Sequence, residues 1–412
     1  MYSLKGISDF LPDLAKGLSR RGENFDFNYL EELNQKRKDF QLKYDNLKSE
    51  SRKIGQEIAN SSNKKKESLM KEVKEISNKT KSIKKNMEKN SNDLFDELIK
   101  IPNLPAEWIP DGIEGKVVKE WGKSKKEKTP FHWEIGEKLN IFDFKSASKI
   151  SGSGWPLLKG DGSKLSRELG NLMLEHHVSN GFFEVSPPFL VTEKTMLGSG
   201  QLPKFADQAY KTEDGHWLIP TSEVPLVNFL AYQDLNVDDL PLRLVSWTHN
   251  FRREAGSYGI KTKGLIRVHQ FEKVEMVSVV KNKDSKKELD FLVERAEGIL
   301  ELLNIPYRRR LLGAADLGFS SSATYDIEIP MPSDGNWMEI SSVSICDDFQ
   351  SRRAGVFCKE KNKNFHPCLL NGTGVAVGRL IAAILEHCWN GESVILPDVL
   401  EEKFKKKELT CE

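Results

Sequence analysis

The chain is poor in what several protein classes require. No run approaches the roughly 18 consecutive apolar residues of a membrane-spanning helix. Neither sign of charge dominates: 62 basic against 61 acidic residues leave a formal net charge of +1. That excludes a uniformly basic nucleic-acid coat, though not a local basic arm. Cysteine is scarce, with five in 412 residues, all at or beyond Cys346. Their number is odd and none forms a CxxC pair, so a reducing cytoplasm is expected rather than a disulfide framework. Cys368, Cys388 and the nearby His366 or His387 match no zinc-ligand spacing, and no structural zinc is expected. No GxGxxG opens a helix and no GxxxxGK[ST] occurs, which argues against Rossmann and P-loop nucleotide sites. The first residues, MYSLKGISDF, lack the charged-then-apolar order of a secretory signal, in keeping with a cytoplasmic chain.

What is present falls into two parts, as a length of 412 residues suggests. Leu33, Phe40, Leu47 and Ile54 are spaced by sevens, and Leu30, Tyr44 and Ile58 fall on a second series that Arg37 and Ser51 interrupt. The two series stand in the a/d relation of a coiled-coil seam. ANSSNKKKE (59–67) breaks the pattern, and a second seam follows, with Leu69, Ile76 and Ile83 on one series and Val73, Met87 and Leu94 on the other. Two heptad helices joined by a short polar turn should fold back on each other, giving an antiparallel coiled coil over residues 28–98. From Glu31 to Lys100 there are 18 Lys or Arg against 13 Asp or Glu. That excess suits either an ordinary solvated helical surface or an arm that follows a phosphate backbone.

Three prolines in IPNLPAEWIP end the second helix and place a domain boundary near residue 110. The expected domains are therefore 1–110, a helical arm, and 111–412, a catalytic domain. Beyond the boundary, β-rich runs such as LRLVSWTH and ATYDIEIP alternate with amphipathic stretches. This favours an α+β fold with an antiparallel sheet over a doubly wound parallel one. The Lys-rich end, EEKFKKKELTCE, reads as a frayed tail.

Functional residue types concentrate in three segments. FRREAGSYGIKTKGLIRVHQFEKVEM (251–276) reads as two strands joined by a long loop. It gathers Arg252, Glu254, Arg267, His269, Glu272, Lys273 and Glu275, whose cationic end suits a phosphate. In MEISSVSICDDFQSRR (338–353), Glu339 and Ser342 either offer oxygens to a hard cation or are the polar end of a strand. In LLNGTGVAVGRLIAAILE (369–386), three glycines precede a helix carrying Arg379 near its start. The macrodipole disfavours a cation there, so either an anionic ligand or a protein carboxylate should face it. No nucleophile–base arrangement is evident. The residues describe a nucleotide-using enzyme that works by positioning and charge stabilisation.

At these residues the chain resembles the bacterial-type seryl-tRNA synthetases, class II aminoacyl-tRNA synthetases. GFFEVSPPFL (181–190) resembles class II motif 1, FRREAG…GLIRVHQFEKVEM motif 2 and NGTGVAVGR motif 3. GQLPKF, PTSEVPL, TYDIEIP and EISS…FQSRR resemble signatures of the seryl branch. The resemblance implies a class II antiparallel sheet core flanked by helices, with the coiled-coil arm reaching serine tRNA, and selenocysteine tRNA as a further candidate acceptor. It also implies a homodimer formed through motif 1 around Pro188, and no membrane association. Arg252, Glu339 and Arg379 would be catalytic. Thr221, Ser222, Glu223, Glu275 and Thr373 would surround serine. ATP would meet Arg252, Arg253, Glu254, Val268, Phe271, Glu339, Ile340, Ser341, Ser342 and Arg379. Phe271 and Arg379 would sandwich the adenine, and Glu339 and Ser342 would ligate Mg²⁺ or Mn²⁺. The chain departs from the family pattern where Cys368-Leu369 replaces the usual His-Thr, which removes a hydroxyl expected near the pocket. Two other readings differ in the acceptor or the chemistry: a paralogue that passes the amino acid to a non-tRNA acceptor, and a non-catalytic relative.

Overall fold

The computed structural model describes residues 7–253 and 263–411. The chain divides into two compact units, Met1–Ser19 with Glu23–Pro102, and Arg20–Gly22 with Asn103–Glu412.

The first unit holds helix α1 (Ile7–Arg20, apart from its last residue) and two long helices, α2 (Phe27–Ala59) and α3 (Asn63–Leu98). At 33 and 36 residues, the long helices extend about 50 Å at a rise of ~1.5 Å per residue. Asp26 caps α2 by accepting from the Asn28 amide at 2.9 Å. Leu30, Leu33, Ile54, Leu69, Ile76 and Leu94 of the seams are buried, and the other seam positions are half-buried. Ile54, Leu69 and Ile76 form one cluster with Leu47, Ile58 and Val73. Asn90 adds a bond across the pair, donating to the Leu33 carbonyl at 3.0 Å. The turn is shorter than the break in the apolar pattern suggests. Lys64–Glu67 already belongs to α3, because losing a seam residue does not stop a helix when Lys and Glu have good helix propensity.

The second unit is built on one sheet. Its strands in chain order are β1 (Lys116–Trp121), β2 (Phe183–Glu184), β3 (Leu242–Phe251), β4 (Gln270–Val280), β5 (Tyr307–Leu311), β6 (Ala323–Pro330), β7 (Trp337–Ile345) and β8 (Cys368–Ala376). Among the described residues the spatial order is β1-β5-β6-β7-β8-β4-β3-β2, antiparallel throughout except for the parallel β2–β3 pair at one edge. Strand alternation sorts the residues onto two faces. Val274, Met276, Tyr325, Ile327, Val343, Ile345 and Leu370 join a core with helices α5 (Asp161–Ser179), α7 (Ser285–Leu302) and α8 (Val377–His387), which cover that face. The polar alternates face the other way: Lys273 and Glu275 on β4, Asp326 and Glu328 on β6, Asn371 and Thr373 on β8. Two short helices complete the frame of the site, α4 (His132–Lys138) and α6 (Glu223–Leu230).

The C-terminal tail is not frayed. It forms a helix over Asp398–Phe404 and pairs Leu409 with Val394, and Phe404 and Leu409 are both buried in the core. Two apolar anchors hold the segment, with Lys405 and Lys407 exposed and Lys403 and Lys406 half-buried in ion pairs with Glu175 and Asp161.

Candidate active site

A cleft of about 560 Å³ opens on the polar face of the sheet. A narrower slot adjoins it, sharing Arg252, Lys273, Glu339 and Thr373 and adding Val268, Phe271, Gly378 and Arg379. The β3–β4 pairing sets Thr248 opposite Lys273 and Asn250 opposite Phe271, so Phe271, Lys273 and Glu275 project on one face at every second position. Arg252 leaves the end of β3 and lies over the Phe271 ring, its guanidinium carbon 5.2 Å from the centroid, while Nε donates to the Pro220 carbonyl at 3.3 Å. Arg379 closes the slot, with Nε donating to the Ile266 carbonyl at 3.4 Å and Nη1 to the Glu339 carbonyl at 2.7 Å. Its side chain is also 3.5 Å from the Glu339 carboxylate, in a pair that is partly exposed rather than buried. A protein carboxylate is therefore beside Arg379, while the guanidinium still borders open space.

The deep end of the cleft is a network of buried polar groups. Lys273 pairs with Glu275 and donates to Thr221 Oγ1 at 2.8 Å. Glu223 Oε1 accepts from Gln350 Nε2 at 2.5 Å and from Asn371 Nδ2 at 3.0 Å. Thr373 Oγ1 donates to Glu275 at 3.5 Å. Burial, and then the charge of Glu275, push the Glu223 carboxyl up from 4.5 to about 7. Lys273 balances one of the two carboxylates, and a bound ammonium would balance the other.

A second acidic group lies on β6 and β7. A bulge between Glu339 and Ser341 shifts the phase of β7, so Glu339 faces Glu328, Ser342 faces Asp326, and both line the cleft although three residues separate them. Burial, and then the charge of Glu339, raise Asp326 to about 7, and its Oδ1 has no hydrogen-bond partner. An unsatisfied buried carboxylate oxygen beside another carboxylate and a hydroxyl suits a hard divalent cation. Among the described residues no three His, Cys, Asp or Glu side chains already converge as a metal cage. That composition suits Mg²⁺, which takes one or two carboxylates and completes its shell with phosphate and water.

Of the residues expected at the site, Glu223, Arg252, Glu275, Glu339, Ser342 and Thr373 line the cleft, and Val268, Phe271, Ile340 and Arg379 line the slot. Thr221 stands behind them through Lys273. Ser341 is buried and donates to the Thr373 carbonyl at 2.5 Å, bracing β7 against β8. Ser222 is fully buried at the start of α6, away from the cleft wall. Arg253 turns outward over the Tyr210 ring, 5.0 Å from its centroid. Glu254 lies outside the described residues. Leu369 packs with Leu226, Leu244 and Val277 in an apolar cluster, and Cys368 enters the core on the other face. Neither lines the cleft, so the exchange of His-Thr for Cys-Leu takes no hydroxyl from its wall. Sequence reasoning missed Gln350, Asn371, Asp326 and Glu328. The polar alternation of TYDIEIP, read beside Glu339 and Ser342, was the available signal for the last two.

An antiparallel sheet with helices on one face and a cleft walled by arginine and aromatic side chains on the other is the architecture of a class II tRNA synthetase core. Residues 207–388 match the family "tRNA synthetase class II core domain (G, H, P, S and T)", and residues 1–105 match "Seryl-tRNA synthetase N-terminal domain". A serine–tRNA ligase of Mesoplasma florum is 40% identical over 422 residues, 99% of both chains. One of Caldicellulosiruptor saccharolyticus is 42% identical over 413 residues, 98% of both. The crystal structure of a seryl-tRNA synthetase from Pyrococcus horikoshii complexed with ATP superposes with a TM-score of 0.92 at 30% identity, covering all of both chains. The chain belongs to the seryl-tRNA synthetase family.

Proposed function

We propose that this chain attaches L-serine to serine tRNA through a seryl-adenylate, consuming ATP and releasing AMP and pyrophosphate. The observation that carries this reading is the pairing of two recognition devices in one cleft. One is the Arg252–Phe271 nucleotide wall, and the other is the buried pocket between Glu223 at the start of α6 and Glu275, which lies on the same strand as Phe271. Serine's ammonium would neutralise that pocket, and its hydroxyl would meet the polar groups around Thr373 and Glu275. Its carboxylate would point back to Arg252. Adenine would lie between Phe271 and Arg379, against the main chain of Val268. Attack of the carboxylate on the α-phosphorus leaves pyrophosphate, and Arg252 stabilises the charge that gathers on the phosphoryl oxygens. Glu339 and Ser342, with Asp326 beside them, would hold Mg²⁺ or Mn²⁺, which would supply Lewis-acid neutralisation of the nucleotide's phosphates.

The terminal adenosine of tRNA then takes the seryl group, with the basic α2–α3 hairpin as the tRNA-reading element; selenocysteine tRNA is a second candidate substrate. The working form is a homodimer through motif 1 around Pro188. In support, Phe183 on edge strand β2 is 64% exposed and Leu190 is 51% exposed, which leaves apolar surface on this segment for a second copy to cover. Five unpaired cysteines favour the cytoplasm, and among the described residues no helix is long and apolar enough to cross a membrane.

ATP–pyrophosphate exchange with serine, threonine, alanine, glycine and cysteine tests the amino-acid reading. Exchange confined to serine supports it. Exchange with none of them would point to a non-catalytic relative.

A further inference from the structure

Helix α4 lies outside every segment given a role above, yet its first residue reaches the nucleotide slot through the main chain. His132 is 1% exposed. Its Nε2 accepts from the Leu265 amide at 3.2 Å, and its Nδ1 lies 3.1 Å from Glu386 Oε1. A backbone N–H can only donate, so Nε2 carries no proton; the ring proton sits on Nδ1 and is given to Glu386. Glu386, on α8 and fully buried, also accepts the His132 amide at 3.0 Å and the Ser333 amide at 3.1 Å. Oε1 therefore holds both the position and the tautomer of the imidazole, while Oε2 is fixed by the Ser333 amide.

The residue before Leu265 records how close this approach is. Gly264 has φ of +75°, and a Cβ there would come within 2.2 Å of His132 Nε2. No L side chain fits between the ring and the chain. One residue further on, the Ile266 carbonyl accepts from Arg379. Leu265, Ile266 and Val268 then form a wall of the slot that Phe271 and Arg379 complete. The wall is thus tied on one side to His132 and on the other to Arg379, both anchored on or against α8.

We infer that His132 is a positioning residue for the nucleotide: through the Leu265 amide it fixes the main-chain wall of the adenine slot, and Glu386 holds it in the one tautomer that can do so. This rests on the reading that the slot takes the adenine of ATP. Among the described residues the serine pocket at Thr221, Glu223 and Glu275 bonds to Lys273, Gln350, Asn371 and Thr373 and not to this segment, so the effect is selective for nucleotide.

The test is calorimetric titration of the full-length protein with ATP and Mg²⁺ in the absence of amino acid, with melting temperatures recorded alongside. The steady-state KM values for ATP and serine are then measured in pyrophosphate exchange. His132→Asn, too short to reach the Leu265 amide, should weaken ATP binding about fivefold to tenfold, as loss of one buried hydrogen bond does, and raise the KM for ATP alike. The serine KM should stay within about twofold. His132→Gln, whose amide oxygen can stand where Nε2 does, should recover most of the ATP affinity. Gly264→Ala, whose Cβ would collide with the His132 ring and push the wall off it while both His132 and Glu386 are kept, should repeat the ATP-selective loss, and it carries the test where His132→Asn does not fold. Unchanged ATP affinity in a folded His132→Asn or Gly264→Ala variant overturns the assignment, as does a serine KM that rises in step with that of ATP. A wild-type protein that binds no ATP instead overturns the reading of the slot itself.

Discussion

The hairpin of α2 and α3 and the cleft on the sheet are opposite solutions to presenting charge. In the hairpin, the buried residues follow a repeat of seven, the contacts are local or mirror one another across a single turn, and most charges are left in water. In the cleft, the charges are taken out of water and held by partners far away in the chain. Glu223 is bonded by Gln350 and Asn371, 127 and 148 residues distant. The first arrangement suits reading an extended polyanion, where many weak exposed contacts add up. The second suits chemistry, where a few desolvated groups act strongly. Substitutions in the two regions should therefore separate into effects on tRNA and effects on the adenylate step.

The largest effect is expected at Arg252. Arg252→Ala should lower serine-dependent pyrophosphate exchange by roughly 10²–10³-fold, the loss usual when a preorganised charge partner is removed. Circular dichroism should be unchanged. Glu223→Gln should raise the serine KM by about 10–100-fold, the cost of a charge-assisted hydrogen bond, with the ATP KM little affected. A rise in both constants would mean that Glu223 supports the sheet rather than the amino acid.

The raised carboxyl of Glu223 gives a pH test. With a value of about 7 in the free protein, it must lose its proton before it can receive an ammonium. The serine KM should therefore rise about tenfold as pH falls from ~8 to ~6. Glu223→Gln should flatten the profile. The stability effect has the opposite direction. The folded protein holds this proton at pH values where the unfolded chain, with an ordinary value of 4.5, has lost it. The free protein should accordingly melt higher as pH falls from about 7 toward 4.5, and Asp326, raised by the same kind of burial, adds to the trend. Serine should diminish that pH dependence.

In the hairpin, Ile76→Ala removes a buried seam residue and should destabilise the coiled coil by about 2–4 kcal/mol. Amide exchange should quicken across residues 63–98, and tRNA charging should fall severalfold while pyrophosphate exchange stays level. The smallest effect is expected at Leu369. Leu369→Thr restores the residue usual in the family, yet the side chain packs among Leu226, Leu244 and Val277. The serine KM should not change, and the melting temperature should drop slightly because a hydroxyl is buried without need.

The same contrast explains what could be read from the sequence. The hairpin was legible almost residue by residue, because a heptad is a local code and burial follows it. The sheet and the main site strands were legible from alternation in LRLVSWTH, HQFEKVEM and TYDIEIP, and the seryl motifs pointed to Arg252, Glu223 and Arg379. Partnerships were not legible. Gln350 lies in FQSRR and Asn371 in NGTGVAVGR, but only the folded sheet sets them against Glu223. Arg253 and Ser222 belong to the right motifs and face away from the cleft, since neighbours on a turn or helix start do not share a direction. The spacing of Glu339 and Ser342 contradicts strand alternation until the bulge at β7 restores it. The tail reads as frayed in sequence because its lysines are conspicuous and its two buried anchors, Phe404 and Leu409, are not.

The most direct test compares the full-length protein with a chain in which residues 28–98 are replaced by a short flexible linker, assaying serine-dependent pyrophosphate exchange and serine-tRNA charging in the same preparations. The account predicts that exchange persists within a few-fold while charging is lost. Charging that survives without the hairpin, or exchange that disappears with it, would contradict the division of labour between arm and cleft.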